Sequence, residues 1–156
     1  MAFLLLYAAI HVLDWALPQL LYPLKRLVAL SLARMLAAMG IFATASGAAV
    51  ETATAKYAMA AECTGLVITA LFACALYASK IRATDIARAL AFYAPFLFAF
   101  NVARVLATIW AETSLGPGAF GPAHALSWLA GALVVVILWA RVCFGWRKPK
   151  PSRRVL

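Results

Sequence analysis

AHALSWLAGALVVVILWARVCFG, residues 123–145, decides the fold, because between His124 and Arg141 it carries no ionisable side chain. A helix needs about 20 mostly apolar residues to cross a hydrocarbon core roughly 30 Å thick. Comparable runs lie upstream, so the chain is read as five membrane spans at about 2–22, 27–49, 63–79, 86–111 and 123–145. Composition agrees. Of 156 residues, 67% are hydrophobic and 12% charged, with a mean hydropathy of +0.94. Soluble domains are roughly half apolar and a quarter charged, and no soluble core hides so much apolar surface. The predicted fold class is all-α: a polytopic transmembrane helical bundle of about five helices. It forms one domain over residues 1–146, followed by a basic tail over 147–156.

The net charge of +9 and a pI near 10 raise nucleic acid as a partner. The bases are instead spread between apolar stretches, as membrane topology requires, so the expected partner is the lipid bilayer and no nucleic acid. If the spans alternate, Lys25-Arg26, Lys80, Arg82, Arg88 and Arg141 share one side with the tail residues Arg147, Lys148, Lys150, Arg153 and Arg154. The positive-inside rule makes that side cytoplasmic, with the N-terminus outside and the C-terminus inside. The connections at about 50–62 and 112–122 hold only Lys56 as a base, beside Glu51, Glu62 and Glu112, and face outward. No base precedes the first apolar run, so it reads as a retained helix and not a signal peptide. Leu115-Gly-Pro-Gly-Ala-Phe-Gly-Pro122 reads as a non-helical loop. Ala33, Ala37, Gly40, Thr44 and Gly47 recur every three or four residues and predict a smooth, close-packing face on the second span. Cys63, Cys74 and Cys143 form no CxxC spacing, which argues against a disulfide framework or a zinc site. Without a nucleotide loop or haem motif, no metal or other cofactor is expected.

An ionisable side chain near the bilayer centre costs about 2.5–3.5 kcal/mol even on the lenient insertion scale, so each one asks for a reason. Asp14 and Arg34 fall at similar depths, which suits an interhelical ion pair that fixes register, or an Arg34 that snorkels to the surface. His11, three residues before Asp14, makes a rival proton-handling pair, with neither nucleophile nor arginine expected at its depth. Arg104 shares a helical face with Asn101, so Asn101-Val-Ala-Arg104 presents two polar groups to one partner surface. Cys63 opens the third span in Glu62-Cys-Thr-Gly65, where the helix dipole favours a thiolate. The alternative for this cysteine is inert packing, the reading that suits Cys74 and Cys143 in their apolar runs. His124 opens the fifth span, with Ser127 and Trp128 one turn on, and reads as either an interfacial residue or a catalytic one. Under one topology Cys63, Arg104 and His124 converge on the outer part of the membrane from three helices. A thiol, a proton carrier and a fixed cation are the parts needed for acyl transfer through a thioester.

Cys63-Thr-Gly65, Asn101-Val-Ala-Arg104 about forty residues later, and His124 at the head of the last helix resemble the exosortase and archaeosortase family of membrane-embedded cysteine transpeptidases. The resemblance covers roughly residues 60–145, the first two spans matching only as apolar helices. It implies a prokaryotic cytoplasmic membrane enzyme acting on proteins with a C-terminal sorting signal: a short motif such as Pro-Glu-Pro, a transmembrane helix and a basic end. Cys63 would form the thioester, Arg104 would bind the oxyanion or the substrate backbone, and His124 would protonate the leaving amine. Asn101, Thr64 and Gly65 would support them, and a surface or lipid-linked amine would accept the product. With two spans before the cysteine, fewer than in longer exosortases, this reads as a short-form member. Two readings stand beside it: a membrane thiol peptidase that hydrolyses without transfer, and a non-catalytic scaffold. A transporter fits poorly, since the ionisable groups cluster toward one surface.

Overall fold

The computed structural model describes residues 2–145, with side chains from Leu4 onward. Its elements are α1 (Ala2–Ala16), α2 (Pro18–Ala38), β1 (Ala43–Ser46), β2 (Ala49–Thr52), β3 (Lys56–Ala58), a 3-10 turn (Ala61–Thr64), α3 (Leu66–Ala78), α4 (Ala83–Leu115), a 3-10 turn (Pro117–Ala119) and α5 (Phe120–Gly145). The predicted helical bundle of about five helices is what is found, with one small sheet added. The tail predicted over 147–156 lies outside the described residues.

The five predicted spans need correction. The first run breaks at Leu17, because a residue before proline is pushed out of the α region and Pro18 is well placed at the start of a new helix. The axes of α1 and α2 meet at 98°, so this pair satisfies a membrane crossing only as one bent unit. Lys25 and Arg26, expected in a cytoplasmic turn, lie inside α2. Asp14 pairs across the corner with Lys25, its two oxygens at 2.6 and 2.8 Å, and not with Arg34, which is exposed.

The second run ends at Ala38. Gly40 takes φ +80°, and the amides of Gly40 and Ile41 bond back to the carbonyls of Ala37 and Leu36, a Schellman stop. Of the predicted small-residue face only Ala33 is buried on α2; Thr44 belongs to β1 and Gly47 to the turn after it. That turn has two residues, with Gly47 at φ +62° in its first central position as a type II′ hairpin requires. The sheet has the order β1-β2-β3, antiparallel throughout, with Val50 opposite Tyr57.

Among the described residues only α4 and the stretch Pro117–Gly145 are long and apolar enough to cross a membrane alone; α3, at 13 residues, is short. The expected loop over 115–122 is largely helical: a 3-10 turn leads directly into α5, with Pro122 in the first turn, where its missing N–H costs nothing.

Two cores hold the molecule. One joins Val28, Leu32 and Leu36 of α2 to Val50, Met59, and Val102 and Ile109 of α4. The other joins Ile68, Phe72 and Leu76 of α3 to Leu97 of α4 and Val135, Leu138 and Val142 of α5. The close helix approach is at Gly131 of α5, where an added Cβ would come within 3.3 Å of Ile68 Cδ1. Outside these cores Leu126, Leu129, Leu133, Val136 and Ile137 form an exposed apolar face on α5, which lipid solvates. The α3–α4 turn and the C-terminal end of α5 meet around Ser79, Lys80, Arg82, Asp85 and Val142. This basic end is one end of the bundle; the sheet and both 3-10 turns make the other.

Candidate active site

Cys63, Arg104 and His124, predicted from three separate stretches, line one cavity of roughly 260 Å³ at the sheet end, together with Tyr57, Met59, Glu62, Val105, Thr108, Ile109 and Phe120. The other three predicted residues build the site without lining it. Asn101 is buried on α4 and its Nδ2 donates to the carbonyl of Cys63 at 2.6 Å, which ties the cysteine's turn to the helix that carries Arg104. Thr64 is buried, its hydroxyl donating to the carbonyl of Ala61 at 2.5 Å across the same turn. Gly65 takes φ +80° with Phe98 Cα only 3.4 Å from where a Cβ would stand, so glycine answers both the backbone conformation and the close approach of α4.

Gly65 also corrects the expected placement of Cys63. The cysteine lies in the 3-10 turn, and the left-handed glycine separates it from α3, which begins at Leu66. The helix dipole therefore does not act on it as a first-turn residue. Burial pushes the Cys63 thiol above the ordinary cysteine value, opposed by a hydrogen bond from the Ala60 backbone to the sulfur and by the nearby charge of Arg104. Burial therefore favours the neutral thiol at rest.

Arg104 is 7% exposed, and its Nε and Nη1 donors have no hydrogen-bond partner among the described residues. Its guanidinium carbon sits 4.2 Å from the centre of the Trp128 ring, which supports the charge from one face while the donors stay open. Buried donors without partners carry a real desolvation cost, so they are a place for an acceptor to bind. Trp128 also donates its indole N–H to His124 Nε2 at 2.9 Å. That bond fixes the tautomer, leaving the proton of a neutral His124 on Nδ1. Phe120 stacks on His124 at 5.7 Å and on Tyr57 at 6.2 Å, so parallel rings run from β3 to α5. Burial, with the charge of Glu112 adding to it, pushes the Tyr57 phenol up to about 12.

The sequence reading missed Tyr57 and Phe120, because their segments were taken as connections, and named Glu62 only as an outward acid. Glu62 joins α1 to the site: Tyr7 donates to its Oε1 at 3.4 Å, and His11 Nε2 approaches that oxygen at 3.0 Å without hydrogen-bond alignment. His11, read as remote from any nucleophile, thus contacts the residue next to Cys63.

Chemically, the cavity offers a thiol, a fixed cation with free donors and an imidazole within apolar walls. Neither the curated proteins nor the solved structures include a match to this chain. The sequence profile of the transmembrane exosortases matches residues 1–140, so the similarity extends over α1 and α2 as well as the stretch that carries the three residues. That family consists of membrane sorting transpeptidases, and a match over most of the chain means that this protein belongs to the transmembrane exosortase family.

Proposed function

We propose that the chain cleaves a C-terminal sorting signal through a Cys63 thioester on the extracytoplasmic side of a prokaryotic cytoplasmic membrane and transfers the product to an amine acceptor. The observation that carries this reading is the shared cavity of Cys63, Arg104 and His124, with two buried guanidinium donors left open beside the thiol. The thiol proton passes to His124 as sulfur bonds to the scissile carbonyl carbon. The oxygen gains charge and takes the Arg104 donors. The C–N bond then breaks, the imidazolium returns its proton to the leaving amine, and the acyl group remains on sulfur until the acceptor amine displaces it. For His124 to act as the base, the Trp128 N–H must release Nε2, since the lone pair it occupies is the one that accepts the proton.

Thr64, Gly65 and Asn101 serve as positioning residues in this scheme. The basic end, with Lys80, Arg82 and Arg88, is assigned to the cytoplasm by the positive-inside rule, which puts the cavity outside. The test is coexpression with a protein from the source genome that ends in motif, apolar helix and basic cluster. Cys63→Ala and Cys63→Ser should abolish processing, and the mass of the wild-type product should include an acceptor. Processing that continues without the thiol would overturn the thioester, and a product bearing only water would make the enzyme a hydrolase.

A further inference from the structure

The free edge of β3 runs toward the cavity and ends five residues before Cys63. In an antiparallel ladder, residues alternate between those bonded to the neighbouring strand and those whose N–H and C=O point away. The amide of Met59 bonds to Ala48 and that of Thr52 to Ala55, which fixes the parity: Tyr57, opposite Val50, is bonded to β2. Lys56 and Ala58 therefore turn their backbone N–H and C=O outward. Among the described residues no strand pairs with that edge and no other element's backbone runs beside it, although Phe120 of α5 stacks on the Tyr57 ring. Proteins often protect an edge with a lysine. Here the Lys56 ammonium is held by Glu51 at 2.7 Å, and the edge at Ala58 is exposed. Tyr57, Ala58 and Met59 all line the cavity that holds Cys63 and Arg104.

We infer that the edge of β3 is the docking site for the cleaved segment of the substrate, which binds as an extended peptide and adds a fourth strand to the sheet through Lys56 and Ala58. Main-chain bonds of this kind suit an extended segment of any sequence, with selectivity left to alternate side chains in the cavity. The peptide's continuation past Met59 brings a carbonyl to the turn of Cys63 and the open donors of Arg104. This inference rests on Cys63 being the nucleophile.

The test uses the full chain in detergent and a pool of tetrapeptidyl chloromethyl ketones of mixed side chains, which alkylate a thiol, with iodoacetamide as the small comparison reagent. Ala58→Pro removes the outward N–H and leaves the β2 bonds intact, and proline is tolerated at such an edge position. Alkylation of Cys63, read by peptide mass, should fall about tenfold for the peptidyl pool in Ala58→Pro and stay unchanged for iodoacetamide. N-methylating the pool's amides should slow the wild-type reaction at alternate positions only. Equal peptidyl labelling of wild type and Ala58→Pro, or N-methyl effects without alternation, would overturn strand addition while leaving Cys63 as nucleophile. A Cys63 that reacts with iodoacetamide but with neither form of the pool would also overturn it, and one that reacts with nothing would overturn both readings.

Discussion

At the residue scale, Cys63 and Arg104 are coupled through charge, and their coupling sets the pH response of the site. Burial raises the thiol and Arg104 opposes that rise, so Cys63 should alkylate with a midpoint above the ordinary cysteine value of about 8.5. Below that midpoint the rate should climb with pH. Arg104→Gln removes the opposing charge and should move the midpoint further up, measured as the iodoacetamide rate against pH; an unchanged midpoint would show that the guanidinium does not act on the sulfur. Arg104→Lys keeps the charge but loses the planar fork over Trp128, and should lower processing by roughly a hundredfold. Arg104 was legible in the sequence because an arginine in an apolar helix is costly enough to need a purpose, and Cys63 only through its order and spacing relative to Arg104 and His124. Tyr57 and Phe120 were not, since an aromatic residue in a connection carries no such signal until a fold stacks it against a histidine.

At the element scale, most departures from the sequence reading share one cause, short local signals that overrode long hydrophobic runs; the stretch 115–122 is the reverse, largely helical despite its Gly and Pro residues. Pro18 breaks a run that hydropathy treats as continuous, and Gly40 stops α2 where small residues seemed to extend it. The β1–β2 hairpin then turns at Ser46-Gly47, a turn signal that the reading of this stretch as a small-residue helix face passed over. The α1–α2 corner is held by Asp14 and Lys25, whose side chains are only 18% and 15% exposed. Removing one partner of a largely buried pair strands the other charge, so Asp14→Leu or Lys25→Met alone should destabilise the chain by about 3 kcal/mol, and the double variant by much less. Thermal unfolding in detergent would measure the cycle, and additive losses would mean that the two side chains do not act as a pair. Gly65→Ala should cost about 1–2 kcal/mol from its left-handed backbone alone, with the contact to Phe98 adding to it.

At the scale of the whole molecule, the sequence reading put Lys25 on one side with Lys80 and Arg82, whereas the structure sets Lys25 within charge range of Cys63 and leaves Lys80 and Arg82 at the other end. Lys80 and Arg82 cluster with the end of α5, far along α4 from Cys63 and Arg104. What the sequence misjudged was the course of the first two runs, because hydropathy does not reveal a 98° corner. The proposed orientation predicts labelling by a membrane-impermeant maleimide in intact cells lacking the native cysteines. Thr54→Cys, in the turn before β3, should react, and Ala83→Cys, at the start of α4, should react only after lysis. The reverse pattern would invert the protein.

The bond from Asn101 to the carbonyl of Cys63 gives this architecture a metric. Along α4, Asn101 stands eighteen residues, or about 27 Å, above Ala83 at the basic end. A bilayer core is about 30 Å thick, so in the proposed orientation, with Ala83 at the cytoplasmic edge, the sulfur would lie close to the far edge of the oil. A client of the proposed kind, anchored by its own basic cluster at the near edge, would present to that sulfur whichever residue emerges at the same altitude. The length of the client's anchor, as much as its letters, would then decide where it is cut.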